Sequence, residues 1–187
     1  GHVVNLTSGP YTESDIFLVR FNTGGQTQWV KSINGSGDDC VNSIDSDLSG
    51  NVFVTGDFLS ANLNVGTVTL SNTDSTTTDI FIAKYDANGN VLWAKRAGGN
   101  SDDTGSTIAA DVMGNVYLTG SYFDSVISFG SLTQNTWPFY ILKLDAAGNE
   151  LWLKGAENKG GYGYCITSDI FGSVIVSGGF SSDSIAF

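Results

Sequence analysis

The chain repeats itself. The stretches Trp29–Asn51, Trp93–Asn115 and Trp152–Ser173 can be laid over one another, and their fixed points coincide. Each tryptophan is followed two places on by a lysine: Lys31, Lys95 and Lys154. Asp47, Asp111 and Asp169 coincide, with Gly50, Gly114 and Gly172 three residues later. Val52, Val116 and Val174 follow, then Gly56, Gly120 and Gly178, then the aromatics Phe58, Tyr122 and Phe180. Upstream, Phe17, Phe81 and Tyr140 match, as do Arg20, Lys84 and Lys143. A repeat of this length is one supersecondary unit that must bury its apolar face against its neighbours.

Composition says which unit. The 24 glycines stand among many Ser, Thr, Asn and Asp residues, a mixture that opposes helices and suits short strands joined by tight turns. Each copy reads as four strands. These are A (about 41–47, 105–111, 163–169), B (51–57, 115–121, 173–179), C (15–21, 79–85, 139–144) and D (27–32, 91–96, 150–154). The C strands are apolar on both faces, as in a sheet packed on both sides. The A–B turns are Asp-x-x-Gly-Asn or Asp-x-x-Gly-Ser. The C–D turns repeat the device at 86–90 and 145–149, with Asn-Thr-Gly-Gly-Gln at 22–26. Asp opens such a turn by accepting backbone N–H groups, and Gly takes the positive φ that closes it. The expected fold is all-β: blades of four antiparallel strands stacked around an axis as a β-propeller.

The run Asp-Ile-Phe-Ile-Ala-Lys-Tyr-Asp at 79–86 is followed by Gly-Asn-Val-Leu-Trp-Ala-Lys at 89–95. Then comes Ile-Ala-Ala-Asp-Val-Met-Gly-Asn-Val-Tyr-Leu-Thr-Gly at 108–120. These residues resemble the bacterial β-propeller repeat of the SBBP type, and the resemblance covers essentially the whole chain. The third copy departs most, with Pro138 in place of the opening Asp and Ser173 in place of Asn. The resemblance implies part of a large secreted or cell-surface bacterial protein and no single activity. Fold alone does not supply function.

Val65–Gly66 and Phe129–Gly130 occupy one repeat position, and Phe187 and Gly1 are its two halves. The expected organisation is therefore one domain of three repeats, 1–65, 66–129 and 130–187. Its strands run C-D, A-B-C-D twice, then A-B, giving two whole blades and two half-blades. Three blades are fewer than the four to eight of a closed ring. Self-association, or flanking blades on a longer chain, is expected to complete it.

Charge and composition narrow the partners. The formal net charge of −11 opposes nucleic-acid binding, and no apolar run is long enough to insert in a membrane. Six of the eight basic residues sit at two repeated positions and belong to the scaffold. Cys40 and Cys165 occupy non-equivalent places, so free, buried thiols are expected.

In a four-stranded blade the A–B and C–D turns share one face of the ring, and the D-to-A and B-to-C connections share the other. The variable segments 1–14, 66–78 and 130–137 lie on the second face. Loops on a rigid scaffold are where binding resides, so the ligand-binding candidates are Asp38, Asp39, Asp102, Asp103, Trp137 and Tyr11. The aspartate pairs suit Ca²⁺ or acid–base sugar chemistry, but equally serve as turn formers, and the third copy has Lys159-Gly160-Gly161 instead. Asp86-Ala-Asn88-Gly-Asn90 fails as an EF-hand, lacking the later Gly and Glu. With His2 the only histidine, there is no nucleophilic triad and no zinc cluster, so no metal, cofactor or catalytic residue is expected. Trp29, Trp93 and Trp152 suit a sugar-stacking set, but their fixed place beside the D-strand lysine argues for packing between blades or under the outer strand. The reading is a non-enzymatic scaffold or binding module for a protein or glycan. A carbohydrate-binding, lectin-like propeller is the alternative, and a polysaccharide hydrolase or lyase using loop aspartates is a third.

Overall fold

The computed structural model describes residues 13–72, 74–135, 138–156, 161–181 and 183–187. Its secondary structure is strand and turn throughout. The strands are β1 (Ile16–Phe21), β2 (Thr27–Asn34), β3 (Asp39–Ser46), β4 (Val52–Phe58), β5 (Asn62–Val65), β6 (Val68–Ser71), β7 (Asp79–Tyr85) and β8 (Val91–Ala97). They continue with β9 (Asp103–Ala110), β10 (Val116–Tyr122), β11 (Ile127–Phe129), β12 (Leu132–Gln134), β13 (Phe139–Leu144), β14 (Glu150–Lys154), β15 (Gly161–Ser168) and β16 (Val174–Phe180).

The four-strand repeat is met. Sheets β3-β4-β7-β8 and β9-β10-β13-β14 are antiparallel A-B-C-D blades, β1-β2 supplies a C-D pair, and β15-β16 an A-B pair. Alternation along the B and C strands feeds two cores at once. Val54, Phe58, Phe81 and Tyr85 pack with Ile16, Leu18 and Ile33 of the preceding sheet. Phe53, Ile80 and Ile82 face the other way, onto Val116, Leu118, Tyr140 and Leu142 of the following one. Every residue of β7 is buried, as expected of a strand with a sheet on either side.

The A strands lie side by side along the inner edge, tied by side chains. Ser43 Oγ accepts from Ile108 N at 3.2 Å, Asp45 Oδ2 from Ala110 N at 2.8 Å, and Ser168 Oγ donates to Ala110 O at 3.0 Å. The turns behave as their sequences predict. Asp111 Oδ1 accepts from Met113 N and Asn115 N, each at 2.9 Å, and Oδ2 from Asn115 Nδ2 at 2.7 Å. Gly114, at φ +77°, closes the loop. The same Asp-centred set recurs at Asp47, Asp86, Asp145 and Asp169.

Two expectations are corrected. The B-to-C connections are not simply loops: β5–β6 and β11–β12 are hairpins, turning at Gly66 (φ +59°) and Gly130 (φ +55°). The β5–β6 hairpin extends the preceding blade, pairing Ile33 with Val65 on β2. Leu63 and Val65 are buried while Asn62 and Asn64 are exposed, a period of two too short to stand out in the sequence. The second correction concerns the cysteines. Cys40 and Cys165 are free, as expected, but both are exposed on A strands that have no sheet on one side.

Candidate functional site

The candidate face is built by the loops entering A strands and leaving B strands. Each aspartate pair there has two distinct jobs. The first member reaches the residue preceding a C strand: Asp38 Oδ1 accepts from Ser14 N at 2.9 Å, and Asp102 Oδ1 from Thr78 N at 3.0 Å. The second turns inward to the segment leaving the B strand. Asp39 accepts from Ser60 Oγ at 2.7 Å and Ser60 N at 3.2 Å. Asp103 accepts from Gly99 N at 2.9 Å and Phe123 N at 3.4 Å. The loops are therefore cross-braced, with backbone N–H groups satisfied by carboxylates from neighbouring connections.

Burial decides what the inner aspartates can do. Asp103 has no solvent exposure, and Asp39 has 2%. Burial pushes the Asp103 carboxyl up to about 7; the Gly99 and Phe123 N–H groups pull it back, while Asp124 and Asp79 add to the rise. Asp39 is raised for the same leading reason, burial. A carboxyl poised near neutrality suits acid–base chemistry, but one without accessible surface cannot touch a substrate. Asp38 and Asp102 are the members near solvent. A cleft of about 310 Å³ opens beside Asp38, lined also by Glu13, Gly37, Leu59, Ala61 and Ser75.

Two residues belong to this cluster that the sequence reading did not pick out. Asp79 is fully buried and ion-paired with Arg96, one of the two basic residues outside the repeated positions. Asp124 accepts from Asn100 N at 2.6 Å and Ser101 Oγ at 3.1 Å. Between them run Gly98, at φ +146°, and Gly99. A Cβ on Gly98 would meet Asp79 Oδ1 at 2.0 Å, and one on Gly99 would meet Asp124 Oδ2 at 1.9 Å. The signal was present as Arg96 and Gly98, which stand where the first copy has Ser32 and Asn34. Among the described residues, no group of three His, Cys, Asp or Glu side chains is placed to hold a metal ion. Tyr11 and Trp137 lie outside the described residues.

The repeated tryptophans pack between blades, as expected. Trp29 Nε1 donates to Ala87 O at 3.1 Å and Trp93 Nε1 to Ala146 O at 3.4 Å, each carbonyl lying in the C–D turn of the next blade. Arg20 and Lys84 donate to the same two carbonyls, at 3.0 and 2.8 Å. Arg20 and Lys84 are thus structural.

The chain is 26% identical over 215 residues to an uncharacterized WD repeat-containing protein of Acanthamoeba polyphaga mimivirus, covering 94% of this chain and 15% of that protein. It is 28% identical over 139 residues to Regulatory protein FlaEY of Caulobacter vibrioides, covering 73% of this chain and 15% of that protein. The chain thus spans about 15% of the length of these relatives. Residues 92–121, from the Trp93 strand through the second A–B turn to the B strand, match the family described as SBBP, beta-propeller repeat.

Proposed function

We infer that the chain is a non-enzymatic binding scaffold of a secreted or cell-surface bacterial protein. It presents the D-to-A and B-to-C loops of a propeller face to a protein or glycan ligand. One observation carries this reading: the loop aspartates are spent on bracing. Asp38, Asp39, Asp102 and Asp103 each hold the backbone of a neighbouring connection. That use produces a rigid display surface rather than a pair of carboxylates flanking a scissile bond. The acidic surface, with a net charge of −11, favours polar or cationic ligand groups over nucleic acid.

The lectin-like alternative and the polysaccharide hydrolase or lyase make different demands. A glycan array probed with the purified chain separates protein scaffold from lectin: hits that disappear on Asp38→Ala or Glu13→Ala would replace the first reading by the second. Release of reducing ends from a polysaccharide panel, abolished by Asp102→Asn, would overturn both.

A further inference from the structure

Two successive blade boundaries build the same place differently. At the second, Lys95 Nζ pairs with Glu150 Oε1 at 2.7 Å, and both Glu150 carboxylate oxygens lie 2.8 Å from where a Cβ on Gly130 would be. Gly130 turns the β11–β12 hairpin, and Gly148, in the adjoining C–D turn, has Lys95 Cε 3.2 Å from its own Cβ position. At the first boundary the lysine and both glycines recur. Lys31 Cε lies 2.8 Å from the Cβ position of Gly89, and Gly66 turns the β5–β6 hairpin. The glutamate does not recur. Val91 stands at its position, with Cγ2 2.7 Å from the Cβ position of Gly66. Among the described residues, no carboxylate lies within salt-bridge distance of Lys31.

A second exchange accompanies the first. Tyr85 ends its C strand where the next copy has Leu144, and both side chains are buried. Leucine asks only for packing. Tyr85 adds a hydroxyl that is buried and has no hydrogen-bond partner among the described residues, and burial pushes its ionisation well up. A buried polar group left unpaired is costly, so a partner from outside the chain is the physical expectation. Tyr85 lines a cavity of about 220 Å³, together with Lys31, Ser32, Thr67, Asn90 and Val91. This cavity shares no residue with the cleft beside Asp38. One boundary thus has a lysine matched by a glutamate. The other has a lysine without one, a buried hydroxyl in want of a partner, and room beside both.

We propose that this cavity binds a small monocarboxylate, with its carboxylate on Lys31 and the Tyr85 hydroxyl and its carbon chain against Val91. Glu150 shows what the geometry accepts, because at the next boundary the chain supplies the carboxylate itself. Ser32 and Thr67 add hydroxyl donors to the walls. The acidic group facing Lys31 from the C–D turn is Asp86. Bonds from Asn90 hold its carboxyl low, and the Lys31 charge adds to this. Its oxygens already accept from Asn88 N, Asn90 N and Asn90 Nδ2, so it does not take the place of Glu150. The charge of the whole chain selects the charge of the ligand. At −11 it opposes each added negative charge, which favours a single carboxylate over sulfate or phosphate.

Propionate, a glutamate side chain set free, tests the site when titrated into the 187-residue chain and followed by amide NMR. Saturable shifts are expected at the N–H groups of Gly66, Thr67, Gly89 and Asn90. Propionamide, the neutral isostere, should leave them in place, and sulfate should not displace propionate. Tyr85→Phe is expected to weaken binding about tenfold, as for loss of one hydrogen bond to a charged group. Lys31→Met should abolish it. Val91→Glu should abolish it too, by placing a chain carboxylate on Lys31 as Glu150 is placed on Lys95. Circular dichroism shows whether each variant folds, and the propionamide and sulfate controls on the unaltered chain decide the matter if a variant does not. No saturable shift with propionate overturns the proposal. So do equal shifts with propionamide, displacement by sulfate, or undiminished binding in folded Lys31→Met.

Discussion

The indole Nε1 of Trp29 donates to the carbonyl of Ala87, 58 residues away in the next blade, and Arg20 reaches the same oxygen. One backbone acceptor thus receives two side chains from the neighbouring blade, and Gly89, in the same turn, has no room for a Cβ because the Trp29 ring lies 2.8 Å from that position. Blade-to-blade order is therefore written at the outer turn as well as in the core. Trp29→Phe keeps most of the ring contact and loses the hydrogen bond, so it is expected to cost about 1 kcal/mol. Trp29→Ala also loses packing, and about 2–3 kcal/mol is expected for this half-buried ring. Urea titration of both variants checks the order.

Asp111 is the most enclosed of the turn aspartates. It accepts from Met113 N, Asn115 N, Asn115 Nδ2 and, at 3.1 Å, the Tyr117 hydroxyl. Asp111→Ala leaves these donors unsatisfied beside a buried tyrosine and is expected to cost about 1–2 kcal/mol. Asp145→Ala, in an exposed turn, should cost less. Equal melting shifts for the two would show that the Tyr117 contact adds nothing.

The pH dependence has two arms of opposite sign. Burial raises Asp103 from 3.8 to about 7, so its contribution to stability is complete below the unfolded value and is lost as pH rises through about 7. The turn aspartates go the other way. Hydrogen bonds from Asn90 lower Asp86 and those from Asn149 lower Asp145, so their contribution is present above the unfolded value and lost as pH falls through the depressed one. The melting temperature should therefore rise as pH falls from about 7 to about 4 and fall again below that. Asp103→Asn removes the titrating group and should flatten the upper arm, leaving the acid arm in place. Melts across that range decide it.

Gly98 sits where three loops meet, at a φ that side chains rarely adopt and with Asp79 Oδ1 at 2.0 Å from the position of a Cβ. Gly98→Ala should cost about 2 kcal/mol or more, from backbone strain together with a displaced buried carboxylate. Hydrogen exchange should show the loss first at Gly99 and Phe123, whose N–H groups bond Asp103.

Ca²⁺ is expected to bind weakly if at all. Asp102 and Asp103 direct their carboxylates at different backbone groups instead of converging on one point. Calorimetry giving a submicromolar Kd, lost on Asp102→Ala, would contradict this.

The sequence by itself determined the strand order, the turns and the pairing within each blade. Those features depend on contacts within one repeat: Asp47 with Asn51, Gly50 closing the turn, alternating side chains on β4 and β7. Repetition also assigned Trp29 and Lys84 to the scaffold before any contact was visible. Tertiary structure decided what lies between repeats. The hairpin β5–β6 is too short to be stable alone and exists because Ile33 of β2 offers an edge to Val65. Asp38 and Asp39 look alike in sequence, yet one lies near the surface and the other is buried, because successive residues at a strand start point to opposite sides. Nothing local distinguishes Phe17 from Phe81. One is exposed and the other buried because a residue's burial is set by the strand beside it, and for Phe81 that strand is β4, brought in from another part of the repeat.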